Sequence, residues 1–209
     1  MLYHIQQIKD MFIERVYKKA LKDLGDFYGI KWSIDQPRII IVDDRKTIDL
    51  IRGRKTERWL VGWTDDRRSV YILNWANFKK ESDHTYSKEY YAYLIKHELS
   101  HLFFGILSGR GVSARWLQEG TAIYTAGQLK LKRRPKKLTS FLGYYDTDGD
   151  ALYSEAGFAV EALVKKYGKD KLLELIRGLK TIKSQKEFNA AFKKIYGFSL
   201  SYAPINKIF

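Results

Sequence analysis

Apolar residues recur at intervals of three and four along residues 1–27, with Lys, Asp and Glu between them. The apolar positions are Leu2, Ile5, Ile8, Phe12, Val16, Ala20 and Leu24. This spacing predicts an amphipathic helix over residues 1–27. The charged residues interrupt the apolar run, so it matches neither a signal peptide nor a membrane span, and no later segment is apolar for long enough. We therefore expect a cytoplasmic protein that has no membrane partner.

The pattern then changes to short runs of β-branched and aromatic residues with polar residues between them. These runs predict a buried strand at 38–42, a short helix at 47–52 and two strands of a hairpin at 59–64 and 69–73. The polar sequence DDRR at 65–68 is typical of a hairpin turn. The second hairpin strand is also a candidate edge for pairing with an extended peptide.

Helical patterns fill the rest of the chain. The longest helix is predicted over 87–107, with Ser87 as its N-cap, and further helices are predicted at 113–127, 153–167, 170–179 and 184–196. The order is a helix, a small β-rich region, and then helices. It predicts an α+β fold in which one 209-residue domain has an N-terminal part, 1–108, and a helical part, 109–209.

Composition restricts the chemistry that is open to this chain. It contains no cysteine, so disulfides and thiol catalysis are excluded, and any metal ligands must be His, Asp or Glu. The formal net charge is +14, from 38 basic and 24 acidic residues, and the densest basic run is KLKRRPKK at 130–137. Elsewhere the basic residues are scattered, and apart from this charge nothing in the sequence supports a nucleic-acid partner.

The predicted helix at 87–107 contains His97-Glu98-Leu99-Ser100-His101, an HExxH sequence. Two histidines four residues apart project from one helical face and can direct their nitrogens at one zinc ion. The glutamate after the first histidine then lies beside the open coordination position, where it can deprotonate a bound water. The chain has four histidines, so finding two of them at this spacing favours a catalytic zinc site.

A third protein ligand is needed to complete such a site. No histidine follows His101, so the ligand must be a downstream carboxylate or one of the earlier histidines. The best candidate is Glu119, because a carboxylate on the next helix can approach the histidine pair from the facing side. Asp146, Asp148 and Asp150 suggest calcium, but their spacing does not match an EF-hand loop, and we interpret them as a solvated turn.

The sequence HELSH followed by WLQEGTA resembles the gluzincin zinc metallopeptidases, specifically the peptidase MA-like family related to zinc aminopeptidases. The resemblance implies a zincin-like fold with a small β-sheet lobe and a mostly helical C-terminal lobe. It also implies one zinc ion per chain, held by His97, His101 and Glu119, with Glu98 as the general base. Tyr153 would donate a hydrogen bond to the oxyanion of the tetrahedral intermediate, and Tyr144 and Tyr145 are alternatives for that role.

Two departures from the family pattern change what the resemblance implies. No Gly-x-Met-Glu-Asn segment precedes the HExxH helix, so the element that holds a substrate's free amine in the aminopeptidases is missing. An endopeptidase is therefore preferred over an aminopeptidase. Ile123 stands four residues after Glu119, where the thermolysin type has an Asp, which leaves the groups that orient the histidine rings unassigned.

Three functions follow from these observations. The first is hydrolysis of a peptide or protein substrate. The second is a non-proteolytic, basic nucleic-acid or partner-binding protein on a zincin scaffold. The third is a self-associating structural module with an idle zinc site. Retention of Glu98 favours the enzyme, since a structural zinc site has no use for a base. The sequence does not determine the oligomeric state.

Overall fold

The computed structural model describes residues 6–64, 68–110, 114–144 and 150–209. The helices are α1 (Met11–Tyr28), α2 (Arg45–Arg52), α3 (Phe78–Glu81), α4 (Lys88–Ser108), α5 (Arg115–Ala126), α6 (Asp150–Tyr167), α7 (Lys169–Gly178), α8 (Gln185–Tyr196) and α9 (Tyr202–Ile208). The strands are β1 (Arg38–Val42), β2 (Gly62–Thr64) and β3 (Ser69–Leu73), and 3-10 turns cover Trp75–Asn77, Gln128–Leu131 and Phe141–Tyr144. The predicted α+β class is confirmed.

The three strands form one sheet in the order β1-β3-β2. β2 pairs antiparallel with β3, as the predicted hairpin requires, while β1 pairs parallel with β3. Residues 65–67 of the hairpin turn lie outside the described residues. Because β3 has a partner on each side, the interpretation of residues 70–73 as an edge for an extended peptide is wrong. In the described part of the chain, β1 and β2 are the edge strands.

The segment that leads into β2 is held by the guanidinium group of Arg45, at the start of α2. It donates hydrogen bonds to the backbone carbonyls of Glu57, Arg58, Leu60 and Glu81 and to the hydroxyl of Thr56. Backbone carbonyls without a strand partner are costly to bury, and one planar five-donor group satisfies several of them. Arg45 therefore fixes the path of residues 56–60 and, through them, the position of β2.

The N-terminal helix begins at Met11, not at residue 1, because Asp10 caps it. The Asp10 carboxylate accepts hydrogen bonds from the amides of Phe12 and Ile13, which are two of the donors left unpaired at a helix start. Residues 1–5 lie outside the described residues. The buried face of α1 carries Ala20, Leu24 and Tyr28 and packs on α4.

Helix α4, which carries the HExxH sequence, lies at the centre of the molecule. It begins after Ser87, whose hydroxyl accepts from the Tyr90 amide as predicted, and it ends at Gly109, in the left-handed region with φ of 60°. Buried residues occur on every face of α4, because α1, α5, α7, β2 and β3 all contact it. A helix that is apolar on all sides is typical of a core position.

Helix α5 packs closely against α6 at Gly120. A Cβ atom at this position would lie 2.5 Å from the carbonyl oxygen of Ala156 and 2.9 Å from Val160 Cγ2, so only glycine allows the approach. Helix α6 begins at Asp150, three residues before its predicted start, while Asp146 and Asp148 lie outside the described residues. Within the described part of the chain, no helix is long and apolar enough to cross a membrane.

Candidate metal centre

His97 and His101 lie one turn apart on α4; the side chain of His97 is buried and that of His101 is 10% exposed. Their Nε2 atoms are 3.0 Å apart, and the ring planes are nearly perpendicular. The helical i, i+4 spacing brings the rings to the same face, as predicted. Burial in the core restricts both rings to few orientations, so the pair is preorganised.

The Glu119 carboxylate on α5 lies next to the Nε2 atoms of both histidines. Its Oε2 atom lies 3.3 Å from His97 Nε2 and 3.6 Å from His101 Nε2, and the residue is 2% exposed. These three residues are the one group in the described part of the chain whose His, Asp or Glu ligand atoms cluster in this way. A buried set of two imidazoles and one carboxylate could hold a metal ion. Glu119, and not an earlier histidine, is therefore the group placed to be the third ligand.

The charges of this cluster stabilise one another. Burial raises the pKa of Glu119, but the neighbouring His101 and His97 outweigh it and lower that pKa to about 2. Burial likewise lowers the pKa of His97, while the contact with Glu119 and the charge of Glu98 raise it above its ordinary value. The carboxylate is thus ionised at neutral pH, as a metal ligand must be. The two imidazoles compensate for the cost of burying its charge.

Arg115 forms an ion pair with the second carboxylate oxygen of Glu119, Oε1. A terminal nitrogen of its guanidinium group lies 3.1 Å from Oε1, one helical turn before Glu119 on α5. With Oε1 bound to Arg115, Oε2 faces the histidines, where it accepts no well-directed hydrogen bond from the described residues. A buried carboxylate oxygen in this state fits a metal ligand. Arg115 was not identified from the sequence, although an arginine four residues before a candidate ligand is a recognisable signal.

Gln128 orients the first histidine. Its side-chain oxygen lies 2.9 Å from His97 Nδ1 and accepts a hydrogen bond from that nitrogen. In the neutral ring, the proton on Nδ1 leaves the Nε2 lone pair of His97 facing the cluster, which is the tautomer that a metal ligand needs. This partner was left unassigned from the sequence. Gln128 follows Gly127, the left-handed cap of α5, and no spacing rule connects it with His97.

The predicted general base, Glu98, is buried beside β2. Its side chain lies so close to Gly62 that a Cβ atom there would be 3.0 Å from Glu98 Oε1. Burial raises the pKa of Glu98 to about 7, with Glu119 adding to the rise and His97 opposing it. A carboxyl group whose pKa is close to neutral can both accept and release a proton at physiological pH.

Tyr153 is half-buried near the start of α6. It lies one turn before Ala156, whose carbonyl lies against Gly120 next to Glu119. Its predicted role as oxyanion donor stays a prediction. Of its alternatives, Tyr144 ends the 3-10 turn Phe141–Tyr144, and Tyr145 lies outside the described residues.

Comparison with known proteins leaves the family of this chain open. No family model matches the sequence, and no curated protein or solved structure is similar to it. The candidate metal centre therefore rests on the geometry of His97, His101 and Glu119, together with the buried carboxyl of Glu98 and the partners Arg115 and Gln128.

Proposed function

We propose that this protein is a zinc-dependent metallopeptidase with a zincin-like fold of the gluzincin type. The observation that carries the proposal is the convergence of His97 Nε2, His101 Nε2 and Glu119 Oε2 within 3.6 Å of one another. Two imidazoles and a carboxylate are the donor set that catalytic zinc sites use while keeping a fourth position open. Glu98, adjacent in sequence to His97, supplies the base that such a site needs.

Each residue of the candidate metal centre has its own role in the proposed hydrolysis. His97, His101 and Glu119 would hold one zinc ion per chain, which would supply a water of pKa about 7 and polarise the substrate carbonyl. Glu98 accepts the proton of the attacking water at its carboxylate and passes it to the leaving amine. Gln128 and Arg115 hold His97 and Glu119 in their ligand orientations.

The substrate is a peptide or protein, and an endopeptidase is preferred because the amine-binding element is missing. Strand β2 supports this choice, since it is an edge strand in the described sheet and its Gly62 lies against Glu98. An extended peptide that adds to this edge would pass next to the base. Binding through the backbone suits cleavage inside a chain, because it does not depend on a free terminus.

The test measures zinc content and hydrolysis of a mixed peptide library in the wild-type protein and in matched variants. We expect one zinc per chain and measurable cleavage in the wild type. Glu98→Gln should retain zinc and lose about 10²- to 10⁴-fold in rate, which is the usual contribution of a general base. Glu89→Gln is the control, because Glu89 is exposed in the first turn of the same helix. Glu119→Ala should lose zinc.

Three outcomes would contradict the proposal in different ways. A wild-type protein that takes up no zinc at micromolar supply would remove the metal site itself. A protein that binds zinc but cleaves nothing, with Glu98→Gln indistinguishable from the wild type, would favour the non-proteolytic alternatives. Unchanged zinc content in Glu119→Ala would reject Glu119 as the third ligand.

A further inference from the structure

A chain of three hydroxyl groups lies inside the molecule and joins three helices. The phenol of Tyr28 on α1 lies 2.7 Å from the hydroxyl of Ser100 on α4. That hydroxyl lies 2.9 Å from Thr125 Oγ1 on α5. Tyr28 and Ser100 are both fully buried. Burying hydroxyl groups is costly unless each one is hydrogen-bonded, so this chain of bonds must be satisfied throughout.

The direction of every bond in the chain follows from counting protons. The Thr125 hydroxyl donates to the backbone carbonyl of Thr121, 2.8 Å away, and it has one proton to give. It must therefore accept from Ser100. Ser100 in turn must accept from Tyr28, whose phenol keeps its proton because burial raises its pKa above the ordinary value. The three donors point the same way, from α1 through α4 to α5.

The two helices that the serine and threonine connect are the ones that carry the candidate ligands. Ser100 lies between His97 and His101 inside the HExxH sequence, and Thr125 is on the same helix as Glu119. The ligand atoms on the two helices are 3.3 and 3.6 Å apart, so a small slide of α4 along α5 would separate them. Apolar packing tolerates such slides more readily than a directional hydrogen bond does.

We propose that Tyr28, Ser100 and Thr125 are positioning residues that hold α4 and α5 in the register required for metal binding. The inference rests on the metal site of the proposed function and adds to it a determinant of affinity that touches neither metal nor substrate. Helix α1 takes part through Tyr28, which contributes the first donor of the chain. The serine of the HELSH sequence thus has a role of its own between the two ligands.

The protein offers a matched control on the same helix. The Tyr17 phenol also makes one short hydrogen bond, 2.6 Å to the carbonyl of Pro37. That bond ties α1 to the segment before β1 and does not reach α4 or α5. Tyr17→Phe and Tyr28→Phe therefore each remove one phenol hydrogen bond from α1, but only the second interrupts the hydroxyl chain.

The experiment measures the zinc dissociation constant by competition with a chromogenic chelator, and the unfolding midpoint of the metal-free protein, for each variant. We expect Tyr28→Phe and Thr125→Val to weaken zinc binding by about tenfold, the lower limit for loss of an outer-shell partner. Tyr17→Phe should bind zinc like the wild type, even where its unfolding midpoint falls as far as that of Tyr28→Phe. Ser100→Ala should weaken zinc binding at least as much. If Ser100→Ala does not fold, the comparison of Tyr28→Phe with Tyr17→Phe decides the test.

The results separate this inference from the function on which it rests. If the wild type binds zinc and Tyr28→Phe binds it equally well, the hydroxyl chain only stabilises the fold and the inference is overturned. Equal weakening of zinc binding in Tyr17→Phe and Tyr28→Phe would overturn it too. If the wild type binds no zinc, both the metal site and the positioning role are rejected.

Discussion

Gly62 is the point where the backbone of β2 passes closest to Glu98. A Cβ atom at this position would lie 3.0 Å from Glu98 Oε1 and 3.1 Å from both Glu98 Cγ and Leu94 Cδ1. These distances are too short for an ordinary carbon contact, so either the carboxyl group or the strand would have to move. A methyl group at this position would therefore displace its neighbours, Glu98 among them, by a few tenths of an ångström.

We expect Gly62→Ala to reduce peptide hydrolysis by up to about 10-fold, because the added methyl group displaces the Glu98 carboxyl by a few tenths of an ångström and a misplacement of about 1 Å costs about 10²-fold. Zinc content should not change, since none of the three ligands is among the contacts of the added methyl group. Gly105→Ala on α4 is the control, because its Cβ would lie 3.7 Å from its nearest neighbour, an ordinary contact. Full activity in Gly62→Ala would show that Glu98 is not constrained by β2.

The two partners of the candidate ligands, Arg115 and Gln128, show what residue-level patterns can and cannot reveal. Arg115 stands one turn before Glu119, a spacing that is visible in the sequence once Glu119 is suspected. Gln128 lies 31 positions from His97, and its contact exists because Gly127 reverses the chain at the end of α5. No local pattern encodes that contact, which depends on how α5 packs on α4.

At the scale of elements, an ion pair joins α1 to the HExxH helix. Lys96, next to His97, places its ammonium group 2.8 Å from the Asp23 carboxylate, which also binds Lys19. Burial acts to raise the pKa of Asp23, but the hydrogen bonds from the two lysines outweigh it and lower that pKa. The folded state therefore favours the ionised carboxylate. Its stabilisation is present above the unfolded-state pKa, about 4, and is lost as the pH falls through the lower pKa of the folded protein.

We expect Asp23→Asn to lower the free energy of unfolding at neutral pH by about 0.5 to 1 kcal/mol, the range for a partly exposed pair. The difference should disappear as the pH falls through the lowered pKa of Asp23 in the folded protein, because the carboxyl group is then protonated in both the folded and the unfolded state. Urea unfolding at several pH values measures the difference. Asp26→Asn makes the same charge change at an exposed position on α1 and is the control for that change. A difference that persists in acid would exclude the ion pair as its cause.

Some helices were predicted from the sequence and others were missed. The capped ends of α4 follow from Ser87 and Gly109, which act locally, whereas α9 was missed because it contains Pro204 and its stability comes from elsewhere. The Asn206 side chain bonds the backbone of residue 138, and the Tyr202 hydroxyl accepts from the amide of residue 142. Contacts of this kind hold a short helix whose own sequence does not favour it.

At the scale of the whole molecule, the net charge of +14 is the feature that the proposed function does not use. Such a charge attracts polyanions over long distances without reading their sequence. It is also the one observation behind the alternative of a nucleic-acid-binding protein. Nonspecific attraction of polyanions and a dedicated nucleic-acid-binding function differ in how DNA binding responds to salt.

We expect duplex DNA binding to be independent of sequence and to fall steeply between about 50 and 200 mM salt, as counterion release requires. Fluorescence anisotropy with two unrelated duplexes measures both properties. Glu98→Gln should bind DNA like the wild type, because the metal centre takes no part in this binding. Sequence-specific binding that survives about 200 mM salt, above the range in which purely electrostatic binding persists, would favour the nucleic-acid alternative.

The sequence by itself determined the features that depend on near neighbours in the chain. The i, i+4 placement of His97 and His101, the carboxyl group of Glu98 between them and the exclusion of cysteine ligands follow from helical geometry and composition. The tertiary structure decided which carboxylate meets the histidines, that Gln128 and Arg115 contact the candidate ligands, and that β2 is an edge strand beside Glu98. The physical reason is that a helix repeats about every 3.6 residues whatever surrounds it. Contacts between helices, by contrast, depend on how the whole core packs.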